Sequence, residues 1–135
     1  MEFTMQKIKQ VIYLSVLVGF LPQISMAAQT CTTAAFRTTP TERFTNNGDG
    51  TITDKQTGLM WQQCLDGVSG STCELGNPIG YSWPEALQRA VTLNNSSGFA
   101  NHADWRVPNI KELMSIVERG CTEVGINSAV FPSVY

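Results

Sequence analysis

The stretch from Asp104 to Val117 constrains the fold more than any other part of the chain, because it predicts a strand followed directly by a helix. Charged and apolar side chains alternate over residues 104–107, as in a short half-buried strand, and Pro108 cannot continue a hydrogen-bonded ladder. Asn109 is then a suitable N-cap, with Glu112 placed as in a capping box. The stretch predicts a domain of mixed α and β structure and contains no catalytic constellation.

Two amphipathic helices are predicted. The first runs from about Trp83 to Leu93 and begins at a capping box formed by Ser82 and Glu85. The second begins after the N-cap named above and ends near Gly120. The residues expected to share an apolar face are Trp83, Ala86, Leu87, Ala90 and Val91 in the first helix, and Ile110, Leu113, Met114 and Val117 in the second.

Short strands and turns are predicted before the first helix. Residues 42–45 and 51–54 have the character of two strands joined by the turn Asn46–Gly50, whose Asn, Asp and Gly residues tolerate positive φ. Gly58 is expected in a left-handed turn, and residues 59–63 predict the next strand. This part of the chain therefore indicates a small antiparallel sheet.

A calcium loop is the alternative interpretation of the same turn, because it combines oxygen-bearing side chains with glycine. When Gly50 is aligned with the sixth position of an EF-hand loop, Thr45 and Gln56 occupy the first and last positions, where Asp and a bidentate Glu belong. The match fails at its two most important ligands, so we interpret the segment as a turn.

The N-terminal residues 1–27 have the order of parts that is typical of a secretory signal peptide. Lys7 and Lys9 precede the apolar run 11–20, and small residues suitable for cleavage end at Ala27. The apolar run is shorter than the roughly 20 residues of a membrane-spanning helix, so no membrane span is expected after cleavage. We therefore divide the chain into a signal peptide (1–27), a Thr- and Ala-rich lead-in segment (28–40) and one domain (41–135).

The cysteines and the charge agree with export. Four Cys allow three pairings; Cys64 and Cys73 enclose a short, turn-rich segment, so we predict their disulfide and, with it, a second between Cys31 and Cys121. Their spacing does not suit zinc. The net charge of −2 is scattered, and without a Lys or Arg cluster nucleic acid is not an expected partner.

No residue pattern indicates catalysis. His102 is the single histidine and has no neighbouring Cys or acidic cluster, and no Ser lies in a nucleophile-elbow pattern. We predict no catalytic residue, no cofactor and no metal ligand, and therefore a protein that is not an enzyme.

The candidate ligand contacts are polar residues in exposed turns and next to an aromatic. They are Asn47, Asp49, Asp104 and Arg106. For Asp104 and Arg106 the residue pattern favours a structural ion pair or a capping role over ligand contact. Three tryptophans, at positions 61, 83 and 105, could form a sugar-stacking platform, but each lies at an apolar-face position, which favours packing in the core.

Several motifs together resemble the Lcl C-terminal-like domain family of exported bacterial proteins. They are Arg43-Phe44, Asn47–Asp54, Thr57–Trp61, Ser82-Trp83 with Glu85–Leu87, Asp104–Leu113, Ile126-Asn127 and Phe131-Pro132. The resemblance implies a small α+β domain, similar to C-type lectins and to the formylglycine-generating-enzyme fold, with short antiparallel strands and two helices. Members usually continue with further closing strands, so it also implies that the C-terminal part of the domain is missing here.

The resemblance and the residues together predict a function. We expect an exported, non-enzymatic binding or adhesion module of the bacterial surface or periplasm, with a glycan as the candidate ligand. The alternatives are a truncated domain with no independent activity, either a remnant or part of a larger assembly, and, third, an enzyme similar to the formylglycine-generating enzymes. The sequence does not specify an oligomeric state.

Overall fold

The computed structural model describes residues 29–31, 37–122 and 125–132. The predicted signal peptide, residues 1–27, lies outside this part of the chain. The strands of the described residues, in chain order, are β1 (Thr30–Cys31), β2 (Phe44–Asn46), β3 (Thr51–Asp54), β4 (Met60–Gln62), β5 (Val68–Ser69), β6 (Leu75–Gly76) and β7 (Cys121–Thr122). The helices are α1 (Trp83–Asn95) and α2 (Ile110–Ser115). The predicted α+β class, with short strands and two helices, is confirmed.

The strands form small antiparallel sheets. In the largest, β2, β3 and β4 lie side by side in that order, and Ile52 of β3 stands opposite Trp61 of β4. β1 pairs with β7, and β5 pairs with β6. The predicted turn between β2 and β3 is confirmed: Gly48 and Gly50 have φ of 80° and 88°, and the Asn47 N–H donates to Thr51 O at 3.1 Å.

A small core is built on one face of this sheet. Its buried residues are Phe44, Ile52, Ile116, Val130 and Phe131, with Trp61 and Ile126 packed against them. The rings of Phe44 and Phe131 meet edge to face at 5.7 Å. The core therefore joins the sheet to the chain that follows α2.

Both predicted disulfides are present. Cys64 and Cys73 close the loop that contains β5, while Cys31 and Cys121 join the paired strands β1 and β7. The lead-in segment is held further along by Glu118, whose carboxylate accepts hydrogen bonds from the backbone N–H groups of Thr38 and Thr39.

Two strand predictions need correction. Residues 41–43 form a single 3-10 turn, so the strand predicted over residues 42–45 begins only at Phe44. The strand predicted over residues 104–107 is wrong: this segment belongs to no sheet. Its alternating burial is nevertheless as expected, with Trp105 and Val107 partly buried and Asp104 and Arg106 exposed.

The Asn94 side chain explains why residues 104–107 stay extended without a neighbouring strand. Its Oδ1 accepts from the Trp105 N–H at 3.0 Å, and its Nδ2 donates to the Trp105 carbonyl at 2.7 Å. One amide side chain therefore satisfies the two backbone groups that a sheet partner would have taken.

The helices begin where predicted, but they are less buried than their patterns indicated. Both capping boxes, at Ser82 with Glu85 and at Asn109 with Glu112, are present. α2 ends at Ser115 instead of near Gly120, because the next residue, Ile116, leaves the helix to enter the core. The exposed apolar side chains of the two helices are Trp83, Leu87 and Val91 in α1, and Ile110, Leu113 and Met114 in α2. No helix in the described part of the chain is long and apolar enough to cross a membrane.

Candidate binding cleft

A cleft of about 570 Å³ lies between β4 and α1. One wall is β4 together with the preceding Leu59, a second is the inner face of α1, and a third is the extended segment Asp104–Pro108. The volume falls within the range of roughly 300–1,000 Å³ that is usual for ligand pockets. We refer to this feature as the β4–α1 cleft.

Two alanines on α1 leave room for the cleft. Ala86, Ala90 and Leu93 lie on one helical face and line it, together with Arg89. All 13 residues of α1 are exposed or only partly buried. The helix therefore stands beside the sheet with open space between them.

At the cleft, an ion pair joins α1 to the disulfide loop, by which we mean the residues between Cys64 and Cys73. Arg89 binds Asp66 in a bidentate manner, with Nε to Oδ2 at 2.6 Å and a second contact at 2.9 Å. The Tyr81 hydroxyl donates to the same carboxylate at 2.6 Å. Arg89, acting against partial desolvation, lowers the pKa of Asp66 to about 2.

A second ion pair lies at the start of α2. Arg106 makes two hydrogen bonds to Glu112, at 2.6 and 2.7 Å, and the Asn109 N–H donates to the same carboxylate at 2.8 Å. Arg106 is the main cause that lowers the pKa of Glu112 to about 2. Arg106 therefore has the predicted structural role, although its partner is Glu112 and not Asp104. Among the described residues, Asp104 has no ion-pair partner, and it lines the cleft.

Aromatic side chains form part of the cleft wall. Trp105 packs edge to face on Phe99 at 5.8 Å and donates its indole N–H to the Phe99 carbonyl at 3.0 Å. Trp61 packs against the core, and its buried indole N–H has no acceptor in the described part of the chain. An unmatched buried donor of this kind costs about 1–3 kcal/mol. The core prediction is wrong for Trp83, which is 64% exposed at the start of α1 because none of the described elements covers that face of the helix.

The four predicted ligand contacts are not brought together. Asp104 and Arg106 line the cleft, whereas Asn47 and Asp49 lie in the β2–β3 turn. There Asn47 Nδ2 donates to the Thr51 hydroxyl at 2.8 Å, and Asp49 Oδ1 accepts from the Thr51 N–H at 3.0 Å. Asp49 also lines a second hollow of about 400 Å³. Both turn side chains are thus used in holding the turn.

Sequence reasoning missed the group formed by Asp66, Tyr81 and Arg89. Helical spacing could have placed Arg89 on the face of Ala86 and Ala90, where a charged residue among alanines suggests a partner. Nothing local indicated Asp66, which lies 23 residues away in the disulfide loop.

The titratable side chains that line the cleft include Asp66, Glu112, Asp104 and His102. Asp66 and Glu112 are each held ionised by an arginine, and a group with a pKa of about 2 is a poor general acid or base near neutral pH. Residues 29–31, 37–122 and 125–132 contain no group of three or more His, Cys, Asp or Glu side chains that could hold a metal ion.

Comparison with known proteins gives one match. The family model described as the Lcl C-terminal domain matches residues 50–135 of the chain, which include β3, β4, both helices and the whole lining of the cleft. No curated protein and no solved structure matches the chain.

Proposed function

This chain belongs to the Lcl C-terminal domain family, and from that premise we propose that it is an exported, non-enzymatic binding or adhesion module of the bacterial surface or periplasm. The ligand occupies the β4–α1 cleft. The signal-peptide pattern of residues 1–27 and the two disulfides support export. The short antiparallel strands and two helices support a fold similar to C-type lectins as part of this proposal.

The cleft is the observation that carries the proposal. It combines an apolar lining with a few polar groups held in fixed positions by hydrogen bonds, which is the usual composition of a ligand site. Exposed apolar side chains on α1 and α2 add contact surface nearby. Binding is therefore favoured over catalysis, since the perturbed carboxylates of the cleft are both locked in ion pairs.

A glycan is the first ligand class to test, because aromatic rings and polar groups together suit sugar rings. We would apply the purified protein to a glycan array beside the variant Ala90→Trp, which fills the cleft. The control is Gln88→Trp, the same new side chain on an exposed position of α1 outside the cleft. We expect retention by the wild type and by Gln88→Trp, and loss with Ala90→Trp.

The three proteins must first be shown to fold alike, by circular dichroism and by complete disulfide formation. Glycan binding that survives Ala90→Trp would move the site away from the cleft. A folded protein that retains no glycan, and that also binds none of the peptides described below, would contradict a binding function altogether.

A second candidate is a domain that acts only as part of a larger assembly. The observation that favours it is the apolar exposure of the helices, which reaches 64% for Trp83 and 68% for Ile110. This candidate predicts that the isolated chain self-associates as concentration rises and binds no ligand through the cleft. Sedimentation velocity over a concentration series, combined with the array, separates the two.

A further inference from the structure

The cleft has an open sheet edge as one wall. Asp54 N–H donates to Leu59 O, and Gln63 N–H donates to Gly50 O, each at 2.9 Å. These bonds fix the ladder between β3 and β4, so that Leu59, Trp61 and Gln63 direct their backbone groups toward β3.

The alternate residues of β4 face the other way. Met60 and Gln62 direct their backbone N–H and C=O groups away from β3, and β4 is the last strand of its sheet within the described residues. Both residues line the cleft. Two donors and two acceptors, spaced as in a strand, therefore border an apolar groove.

The exposure of α1 indicates which kind of molecule the groove would bind. An isolated helix shorter than about 12–15 residues is marginal in water, and a helix in a protein gains most of its stability when its apolar face packs on another element. α1 has 13 residues, but none is fully buried, and its Ala86, Ala90 and Leu93 face the groove. An occupant that supplies apolar side chains beneath α1 would give the helix the packing that the described residues do not provide.

The backbone groups of β4 that border the groove suit a polypeptide. Asp66 with Arg89, and Arg106 with Glu112, already bind one another, so these four side chains have fewer groups left for the hydroxyls of a glycan. Among the described residues, the outward backbone groups of β4 have no strand partner and the carboxylate of Asp104 has no ion-pair partner. A strand has the complementary backbone groups, and a Lys or Arg near one end would face Asp104.

We propose that the β4–α1 cleft is a strand-acceptor groove, which binds an extended segment of a partner polypeptide with apolar side chains at alternate positions. The segment pairs with the free edge of β4 as the fourth strand of the sheet and packs its apolar side chains under α1. This inference rests on the proposed binding function of the cleft and specifies the class of partner.

The test uses two sets of short synthetic peptides of identical composition, each peptide carrying one terminal lysine. In one set apolar and polar residues alternate, and in the other the same residues are scrambled. We expect the purified protein to bind members of the alternating set only. Binding should weaken by about tenfold or more in Ala90→Trp and stay within about twofold of wild type in Gln88→Trp.

Backbone methylation of the best peptide tests strand pairing directly. In a strand, every second amide faces the partner, so N-methyl groups at alternate positions should weaken binding by about tenfold and those between them far less. Equal sensitivity at all positions, or equal binding by scrambled peptides, would overturn the inference.

The outcomes separate this inference from the proposed function. If glycans bind in a manner that Ala90→Trp abolishes and no peptide binds, the binding function stands and the strand-acceptor inference falls. If alternating peptides bind with the expected methylation pattern, both stand. If neither class binds the folded protein, both fall.

Discussion

At the scale of single residues, Glu118 is a buried carboxylate held by several hydrogen bonds. It is 3% exposed, and among the described residues it has no basic partner. Instead it accepts from the N–H groups of Thr38, Thr39 and Gly120 and from the Thr39 hydroxyl, at 2.7–3.0 Å. Burial alone would raise its pKa, but these donors outweigh the desolvation and lower the pKa to about 2.

This carboxylate predicts a pH dependence of stability. Because the pKa of Glu118 in the folded protein is about 2, below its ordinary 4.5, its contribution is complete above about pH 4.5 and is lost as the pH falls toward 2. We expect Glu118→Gln to lower the free energy of unfolding by about 2–4 kcal/mol at pH 7. The difference from wild type should shrink between pH 4.5 and 2, as measured by urea unfolding at several pH values.

The matched control is Glu42→Gln, since Glu42 is an exposed carboxylate in the same part of the fold. Because its side chain is exposed, this substitution should leave the free energy of unfolding near that of wild type at pH 7. A Glu118→Gln protein as stable as wild type at neutral pH would show that the network contributes little.

At the scale of elements, the extended segment 104–107 shows what could be predicted from the sequence, its alternating burial, and what could not, its place outside any sheet. Alternation correctly predicted its partly buried Trp105 and Val107, because it depends only on the backbone geometry of that segment. Membership in a sheet depends on what lies beside it, and there the Asn94 side chain takes the place of a strand. Capping boxes and the β2–β3 turn were predictable for the same local reason.

The burial of the helices was harder to predict than the periodicity of their apolar residues. Trp83, Leu87 and Val91 recur at helical spacing, which indicates a face but not whether anything packs on it. The cleft likewise depends on contacts between distant segments, such as that of Asp66 with Arg89. Asp104 and Arg106 could be recognised as polar residues beside an aromatic, but the pairing of Arg106 with Glu112 could not.

The two hydrogen bonds between the Asn94 side chain and the Trp105 backbone predict a local effect on the protection of the Trp105 amide. Replacing Asn94 by Ala removes both hydrogen bonds to the Trp105 backbone, which we expect to cost about 1–3 kcal/mol and to loosen the third wall of the cleft. The Trp105 amide should then exchange with solvent deuterium much faster, as measured by hydrogen exchange with mass spectrometry or NMR. Asn95→Ala, at the exposed neighbouring position, should leave that rate unchanged. Equal protection of the Trp105 amide in both variants would show that the Asn94 side chain does not hold this part of the backbone.

At the scale of the whole molecule, a disulfide and a set of hydrogen bonds join parts of the chain that are distant in sequence. The disulfide of Cys31 and Cys121 links residues 90 apart in sequence, whereas that of Cys64 and Cys73 links residues only 9 apart. The long link joins β1 to β7, and the Glu118 network lies close to it in the chain. Residues 29–31 and 37–40 are therefore held to the chain that follows α2.

Loop length predicts which disulfide matters more. In the chain-entropy account, the long loop stabilises by up to about 4.5 kcal/mol and the short one by up to about 2.5, because a longer loop restricts the unfolded chain more. We expect the double variant Cys31→Ser with Cys121→Ser to lose more free energy of unfolding than Cys64→Ser with Cys73→Ser, as measured by denaturant titration.

The short disulfide has a local role instead, since it closes the loop that presents Asp66 to Arg89. Its loss should therefore weaken the proposed ligand binding in the cleft, while it lowers the free energy of unfolding less than loss of the long disulfide does. If the short link proved the more important for stability, the disulfide loop and α1 would have to be regarded as part of the folding core.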